Sequence, residues 1–303
     1  MTAPVRFDVI SDIQGDFHDL DAALAWFAER GIGDALLVVG DLTPNGHADE
    51  YQALFDRLAA SPHAPALFAV GNHDYYNHES NDVSIARFLE FTGMPAMYSA
   101  HEVGGVTVIR LGTLDGSERS GHCVILGDEQ LAWLAETLDA QPIGKPVLVM
   151  SHHALPRTVS GSYDDPITQA PKLYLADYAE SDRLLDILGS HPDVMFLSGH
   201  THWSLYRSDW FARRTVGGGH VNGFACVNTG AVQRGFGPNG AGGEQPLELE
   251  ENQGLSVVVD GSTIRIQALD FRRGKVIRTV EFRSGSADFV ELAGGDVEDE
   301  AAQ

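Results

Sequence analysis

One pattern constrains this chain more than any other. Five times, an apolar run of strand length breaks abruptly into polar side chains that can hold a metal. The run at 66–70 stops at Gly71 and sets Asn72, His73 and Asp74 side by side. The run at 7–10 leads into Ser11-Asp12, and that at 35–39 into Gly40-Asp41. The run at 147–150 leads into Ser151-His152-His153, and that at 194–197 into Ser198-Gly199-His200-Thr201-His202. Short apolar runs bounded in this way are buried strands. Ligands of open α/β sheets bind at the carboxyl ends of such strands. A lone strand-end Asp or His is usually a turn or structural residue. Five in order deliver Asp, Asp, Asn-His, His and His-x-His to one rim, and that recurrence points to a metal site.

Helical periodicity fills the gaps between the first runs. Residues 16–30 carry Leu20, Leu24, Trp26 and Phe27 on one stripe and end at Gly31 and Gly33. A second helix spans 48–60. This βαβαβ beginning predicts an α/β fold with a largely parallel sheet. Further helices are expected at 82–91, at 128–138 with Asp128 as its N-cap, and at 181–188. Strands are expected at 97–101, 106–111, 203–210 and 224–227. Residues 155–177 hold Pro156, Pro166 and Pro171 directly after His152, and read as a loop shaping a pocket. Residues 232–253 are rich in Gly and then acidic, and read as a mobile loop. Residues 254–283 form a three-stranded meander with turns at Asp260-Gly261 and Arg273-Gly274. Residues 284–303 are small and acidic, and read as a disordered tail. The reading is a single domain over 1–283.

A formal net charge of −23 argues against unaided binding to nucleic acid or an anionic membrane. Bound cations would reverse that sign locally and admit an anionic substrate. Residues 1–4 carry no basic n-region, and no apolar run reaches membrane-spanning length. The expectation is a soluble, cytoplasmic protein. Cys123 and Cys226 stand in separate apolar contexts and read as small hydrophobes rather than a disulfide.

Asp and Asn oxygens with His nitrogens suit Mn, Fe, Zn or Mg. No thiolate stands near them, which argues against structural zinc. Two metals about 3.5–4 Å apart, bridged by a carboxylate, hold attacking and leaving oxygens in line in phosphatases and nucleases. At this point the chain resembles the calcineurin-like metallophosphoesterases. Their five motifs occur here in family order as Ser11-Asp12-Ile13-Gln14-Gly15, Gly40-Asp41, Gly71-Asn72-His73-Asp74, Ser151-His152-His153 and Gly199-His200-Thr201-His202. The resemblance covers about the first 230 residues. It implies two mixed β-sheets packed face to face and flanked by helices, a four-layer αββα sandwich. It also implies a binuclear centre in which Asp41 bridges. Asp12, Gln14 and His202 would complete one site; Asn72, His152 and His200 would complete the other. His73 would face the phosphate and the leaving group, with Asp74 orienting it.

The stretches GDLTPNGHADEY at 40–51 and GDEQLAWL at 127–134 look like the cyclic-nucleotide and phosphodiesterase-type members. The family usually has His where this chain has Gln14. That substitution resembles the branch with manganese-dependent ADP-ribose/CDP-alcohol diphosphatases, and a harder amide donor favours Mn²⁺. The implied activity is hydrolysis of a cyclic nucleotide or other small phosphodiester by in-line attack of metal-bound hydroxide. The alternatives are a phosphomonoesterase, a pyrophosphatase of nucleoside diphosphate derivatives, or a non-catalytic scaffold with a degenerate metal site. His153 reads as a neighbour of the ligands. Tyr75 and Tyr76 read as pocket-lining or packing residues, and His220, after three glycines, as a substrate contact. The implied partner is a small phosphorylated substrate, with no nucleic acid and no membrane.

Overall fold

A computed structural model of the chain describes residues 3–116, 123–162, 174–241 and 243–293. In order the elements are β1 (Val5–Ile10), α1 (Phe17–Glu29), β2 (Ala35–Val39), α2 (Ala48–Ala60), β3 (Ala66–Ala69) and α3 (Asn81–Thr92). Then come β4 (Ser99–Val103), β5 (Val106–Arg110), α4 (Gly127–Asp139), β6 (Val147–Met150), α5 (Ser181–Gly189) and β7 (Val194–Ser198). The remainder is β8 (Phe211–Arg214), β9 (Phe224–Asn228), β10 (Phe236–Pro238), β11 (Glu244–Pro246), β12 (Gln253–Asp260), β13 (Thr263–Asp270), β14 (Lys275–Arg283) and β15 (Phe289–Ala293).

Two large mixed sheets result. One runs β15-β14-β13-β12-β1-β2-β3, the other β4-β5-β6-β7-β9-β8. The strands that carry the polar endings, β1, β2 and β3 in one sheet and β6 and β7 in the other, lie parallel to their neighbours of that set. Parallel strands point their carboxyl ends the same way, so the endings gather on one rim.

The period of two along each strand explains the layering. Val5, Phe7 and Val9 of β1, with Leu37 and Val39 of β2, face Leu148 and Met150 of β6 and Met195 and Leu197 of β7 in the core between the sheets. The alternate residues Ile10, Leu36, Val38 and Phe68 pack under Leu20, Leu24, Leu54 and Phe88 of α1, α2 and α3. Val147, Val149 and Phe196 do the same under Leu131, Leu134 and Leu188 of α4 and α5. Strands buried on both faces read as continuous apolar runs, as these do. The layers are therefore helix, sheet, sheet, helix. Among the described residues no helix is long and apolar enough to cross a membrane.

Several local expectations are corrected. Helix α4 starts at Gly127, and Asp128 lies in its first turn rather than at its N-cap. The Glu180 carboxylate accepts from the amides of Leu126 and Gly127 at 3.2 and 3.0 Å and serves that end instead. Residues 203–210 turn rather than extend, and the strand begins at Phe211. The stretch read as a mobile loop contains the antiparallel pair β10–β11. Within the stretch read as a disordered tail, β15 pairs with β14. Residues 294–303 of that tail, and 163–173 of the proline-containing loop, lie outside the described residues.

Candidate metal centre

The rim is held in a costly backbone conformation. Asp12, Gln14, Asp41, His200 and His202 all take positive φ, at 54°, 44°, 50°, 67° and 53°. Non-glycine residues in that region cost about 1 kcal/mol or more each, and such strain collects at functional sites. Glycines leave the space that the carboxylates occupy. A Cβ on Gly71 would lie 2.1 Å from Asp41 Oδ1, and one on Gly199 would lie 2.3 Å from Asp12 Oδ2.

Two clusters of ligand atoms form there, one from Asp12, Asp41 and His202 and one from Asp41, His152 and His200. Within each cluster the atoms lie within 4.8 Å of one another, and Asp41 belongs to both. His152 Nε2 stands 3.2 Å from Asp41 Oδ2, and His202 Nε2 stands 3.1 Å from Asp12 Oδ1. The opposite ring nitrogens are taken by backbone carbonyls. His152 Nδ1 donates to Val39 O at 2.9 Å and His202 Nδ1 to Arg234 O at 3.0 Å. Such outer bonds fix the tautomer that leaves Nε2 for a cation. Asn72 Nδ2 donates to Tyr76 Oη at 2.7 Å, while the buried Asn72 Oδ1 has no hydrogen-bond partner among the described residues. A buried carbonyl oxygen without a donor is costly unless something else satisfies it, and a hard cation would. The donor set of carboxylate, amide oxygen and imidazole fits a divalent ion.

Gln14 joins the centre through its nitrogen end. Its Nε2 donates to Asp41 Oδ2 at 2.7 Å and lies 3.4 Å from His202 Nε2. A carboxylate attracts the amide's donor end, and a half-turn of the amide brings Oε1 to the same place.

Electrostatics follow from burial and pairing. Burial alone would lower His152, but Asp41 and Asp12 beside it hold it up to about 9. Burial would likewise lower His202, and Asp12 raises it. Burial would raise Asp41, and His152 and His73 hold it below the usual carboxylate range.

His73 is oriented differently from the expectation. Its Nδ1 bonds to Pro44 O at 2.8 Å, which leaves Nε2 facing the centre 3.9 Å from Asp41 Oδ2. Asp74 takes no part in this. A short 3₁₀ turn over His73–Tyr75 carries Asp74 away from the rim. There its carboxylate accepts from the amides of Gly71 (2.9 Å), Leu42 (3.4 Å) and Thr43 (3.2 Å) and from the Thr43 hydroxyl (3.1 Å). Asp74 thus ties two ligand-bearing loops together.

The other assignments divide. His153 is buried with its ring 4.1 Å from that of His200. Tyr76 packs its ring 4.6 Å from that of His73. Tyr75 is core: it is buried, and its hydroxyl donates to Thr113 O. His220 lies in a separate hollow with Leu138 and His191, so the substrate contact expected there is not supported.

The centre opens into a cavity of about 610 Å³. Its lining includes Gln14, Asp41, Asn72, His73, His200 and His202, and adds Tyr174, Asp177, Phe236 and Glu244, which the sequence did not single out. Asp177 Oδ2 lies 3.5 Å from His200 Nε2, and burial pushes its carboxyl up to about 7. The only signal for these four was their place in two segments read as loops.

Comparison with known proteins gives a family model described as calcineurin-like phosphoesterase, matching residues 5–204. A second model, described as a domain of unknown function (DUF4073), matches residues 205–300. The chain is similar, at 31% identity over 175 residues, to a "Probable cyclic nucleotide phosphodiesterase" of Rhodococcus erythropolis, covering 56% of this chain and 52% of that protein. It is 26% identical over 193 residues to the "3',5'-cyclic adenosine monophosphate phosphodiesterase CpdA" of Escherichia coli K12, covering 60% and 59%. The match thus spans little more than half the length of these relatives. Among solved structures, a purple acid phosphatase of yellow lupin, Lupinus luteus, superposes with a TM-score of 0.60 at 13% identity, over 91% of this chain and 53% of that one. That likeness shows the fold.

Two outcomes are predicted. A cation needs the Nε2 of His152 without its proton. Below about 9, Mn²⁺ entering metal-stripped protein must displace that proton, so His152 should contribute a rise in affinity of up to roughly tenfold per pH unit that ceases above about 9. Calorimetric titration across pH checks this, and a flat affinity would remove His152 from the ligand set. Separately, Asp74→Ala strands four buried donors and should lower stability by about 3 kcal/mol or more in urea unfolding. A full-stability variant with only slowed turnover would return Asp74 to the orienting role.

Proposed function

The chain belongs to the calcineurin-like phosphoesterase family, and on that premise we propose that it is a metal-dependent phosphoric ester hydrolase acting on a small phosphodiester, a cyclic nucleotide first. In this reading Asp41 would belong to both of two divalent-cation sites; Asp12, Gln14 and His202 would complete one, and Asn72, His152 and His200 the other. Residues 1–283 work as a single domain, a reading supported by the antiparallel pairing of β12 with β1. The observation that carries the activity is the cavity's charge. Among its described lining residues there is no Lys or Arg, while Asp41, Asp177 and Glu244 are acidic. An anionic phosphate gains a favourable field there only from bound cations.

When bound, the two cations supply an activated water and neutralise the phosphoryl oxygens. The protein's own groups do the rest. Asp41 and Asp12 bring the negative charge that gathers the cations. His152 and His202 are held with Nε2 inward by the Val39 and Arg234 carbonyls. His73 keeps Nδ1–H on the Pro44 carbonyl, which turns Nε2 to the side facing the cavity. In its imidazolium form that nitrogen can give a proton to the oxygen that leaves phosphorus. The amide oxygen of Gln14 is a harder donor than imidazole, which favours Mn²⁺ over Zn²⁺ at that site. The complete set of seven donors speaks against a non-catalytic scaffold.

His73→Ala tests the assignment. The variant should keep its bound metal and lose roughly 10²–10⁴ in rate on 3',5'-cyclic AMP, whose leaving oxygen needs a proton. The loss should be smaller on bis(4-nitrophenyl) phosphate, whose leaving group does not. Equal losses on both would make His73 a purely electrostatic group, and loss of metal would make it a ligand.

A further inference from the structure

Glu244 lines the cavity but stands outside both clusters of ligand atoms. Glu244, the first residue of β11, is fixed at both oxygens. Tyr174 Oη donates to Oε1 at 2.8 Å, and Trp203 Nε1 donates to Oε2 at 2.9 Å. Trp203 is fully buried, and the Tyr174 ring lies 5.0 Å from the His200 ring. Glu244 is thus set one tyrosine away from the metal centre. The segment that leads to it is hung from the centre's own backbone. Gln233 N donates to Asp12 O at 2.9 Å and Phe236 N to His202 O at 2.8 Å, and β10 then pairs with β11. The Phe236 ring stands edge-on to His202 with centroids 5.6 Å apart and walls the same space.

Each carboxylate oxygen accepts two hydrogen bonds, and each here has one from the described residues. A donor-seeking carboxylate beside a phosphate site is a poor neighbour for a second anionic group and a good one for a hydroxyl. We propose that Glu244 is the specificity-determining acceptor for the non-phosphate half of the substrate, selecting phosphodiesters that carry a free hydroxyl close to the scissile ester. The ribose 2'-hydroxyl of a cyclic nucleotide and the hydroxyls of a glycerol diester share that chemistry. Tyr174 and Phe236 add aromatic surface to the same cavity. This inference rests on the phosphodiesterase reading above.

The test compares kcat/KM within matched pairs, using Mn²⁺-loaded protein. One pair is 3',5'-cyclic AMP and its 2'-deoxy form; the other is glycerophosphocholine and propyl phosphocholine. A hydrogen bond to a charged acceptor should give the hydroxyl member of one pair a preference of roughly 10-fold to 100-fold in the unaltered protein. The pair that shows it identifies the source of the hydroxyl. Glu244→Ala should bring that ratio to about one. Glu244→Gln, which keeps the side chain's size, should reduce it and raise relative turnover of substrates bearing a second phosphate. Ratios near one in the unaltered protein, or a preference that survives both variants, overturn the role of Glu244. Bis(4-nitrophenyl) phosphate separates the two failures. Turnover of it with flat ratios removes only the Glu244 assignment, whereas no turnover of any diester removes the phosphodiesterase reading and this inference with it.

Discussion

The Asp41 carboxylate is the contact on which the site depends. It is buried, it accepts from the His73 amide at 2.9 Å and from Gln14 at 2.7 Å, and it stands 3.2 Å from His152. A buried anion with so few neutralising partners is tolerable only when positive charge is supplied beside it. The backbone is arranged to keep it there. Asp41 follows Gly40 in a strained conformation, and Gly71 has no side chain because Asp41 Oδ1 fills that space. The same logic holds for Asp12 against Gly199.

That geometry is a property of the two sheets together. Asp12, Asp41 and Asn72 follow strands of one sheet; His152, His200 and His202 follow strands of the other. The distance between them is set by the apolar layer in which Phe7, Leu37, Leu148 and Leu197 meet. Close-packed interiors transmit small volume changes, so a core residue far from the rim can alter how the two half-sites face each other. The C-terminal strands enter the same frame: β12 continues the sheet beside β1, and the chain just before it carries Glu244 into the cavity.

The rim was legible in the sequence because strands buried on both faces are continuous apolar runs, and each stops at a polar side chain that the fold brings to that rim. Asp74 bonds to Gly71, Leu42 and Thr43 rather than to its neighbour His73, because adjacency in sequence does not fix direction. The 3₁₀ turn at His73 separates the two side chains, and the Pro44 carbonyl, 29 residues earlier, orients the histidine. The segment around Glu244 was read as mobile because glycine and acidic residues carry no burial pattern. Its order comes from backbone bonds to Asp12 and His202, which composition cannot report. His220 follows a glycine run that has nothing to do with the cavity.

The direct test of a shared carboxylate is metal stoichiometry in Asp41→Asn beside Asp12→Asn, measured by elemental analysis after dialysis against limiting Mn²⁺. If Asp41 belongs to both ion sites, the unaltered protein holds two ions, Asp12→Asn keeps the ion of the Asn72, His152 and His200 site, and Asp41→Asn loses both. An Asp41→Asn protein that retains one ion with unaltered affinity would contradict a shared centre and leave Asp41 serving a single site.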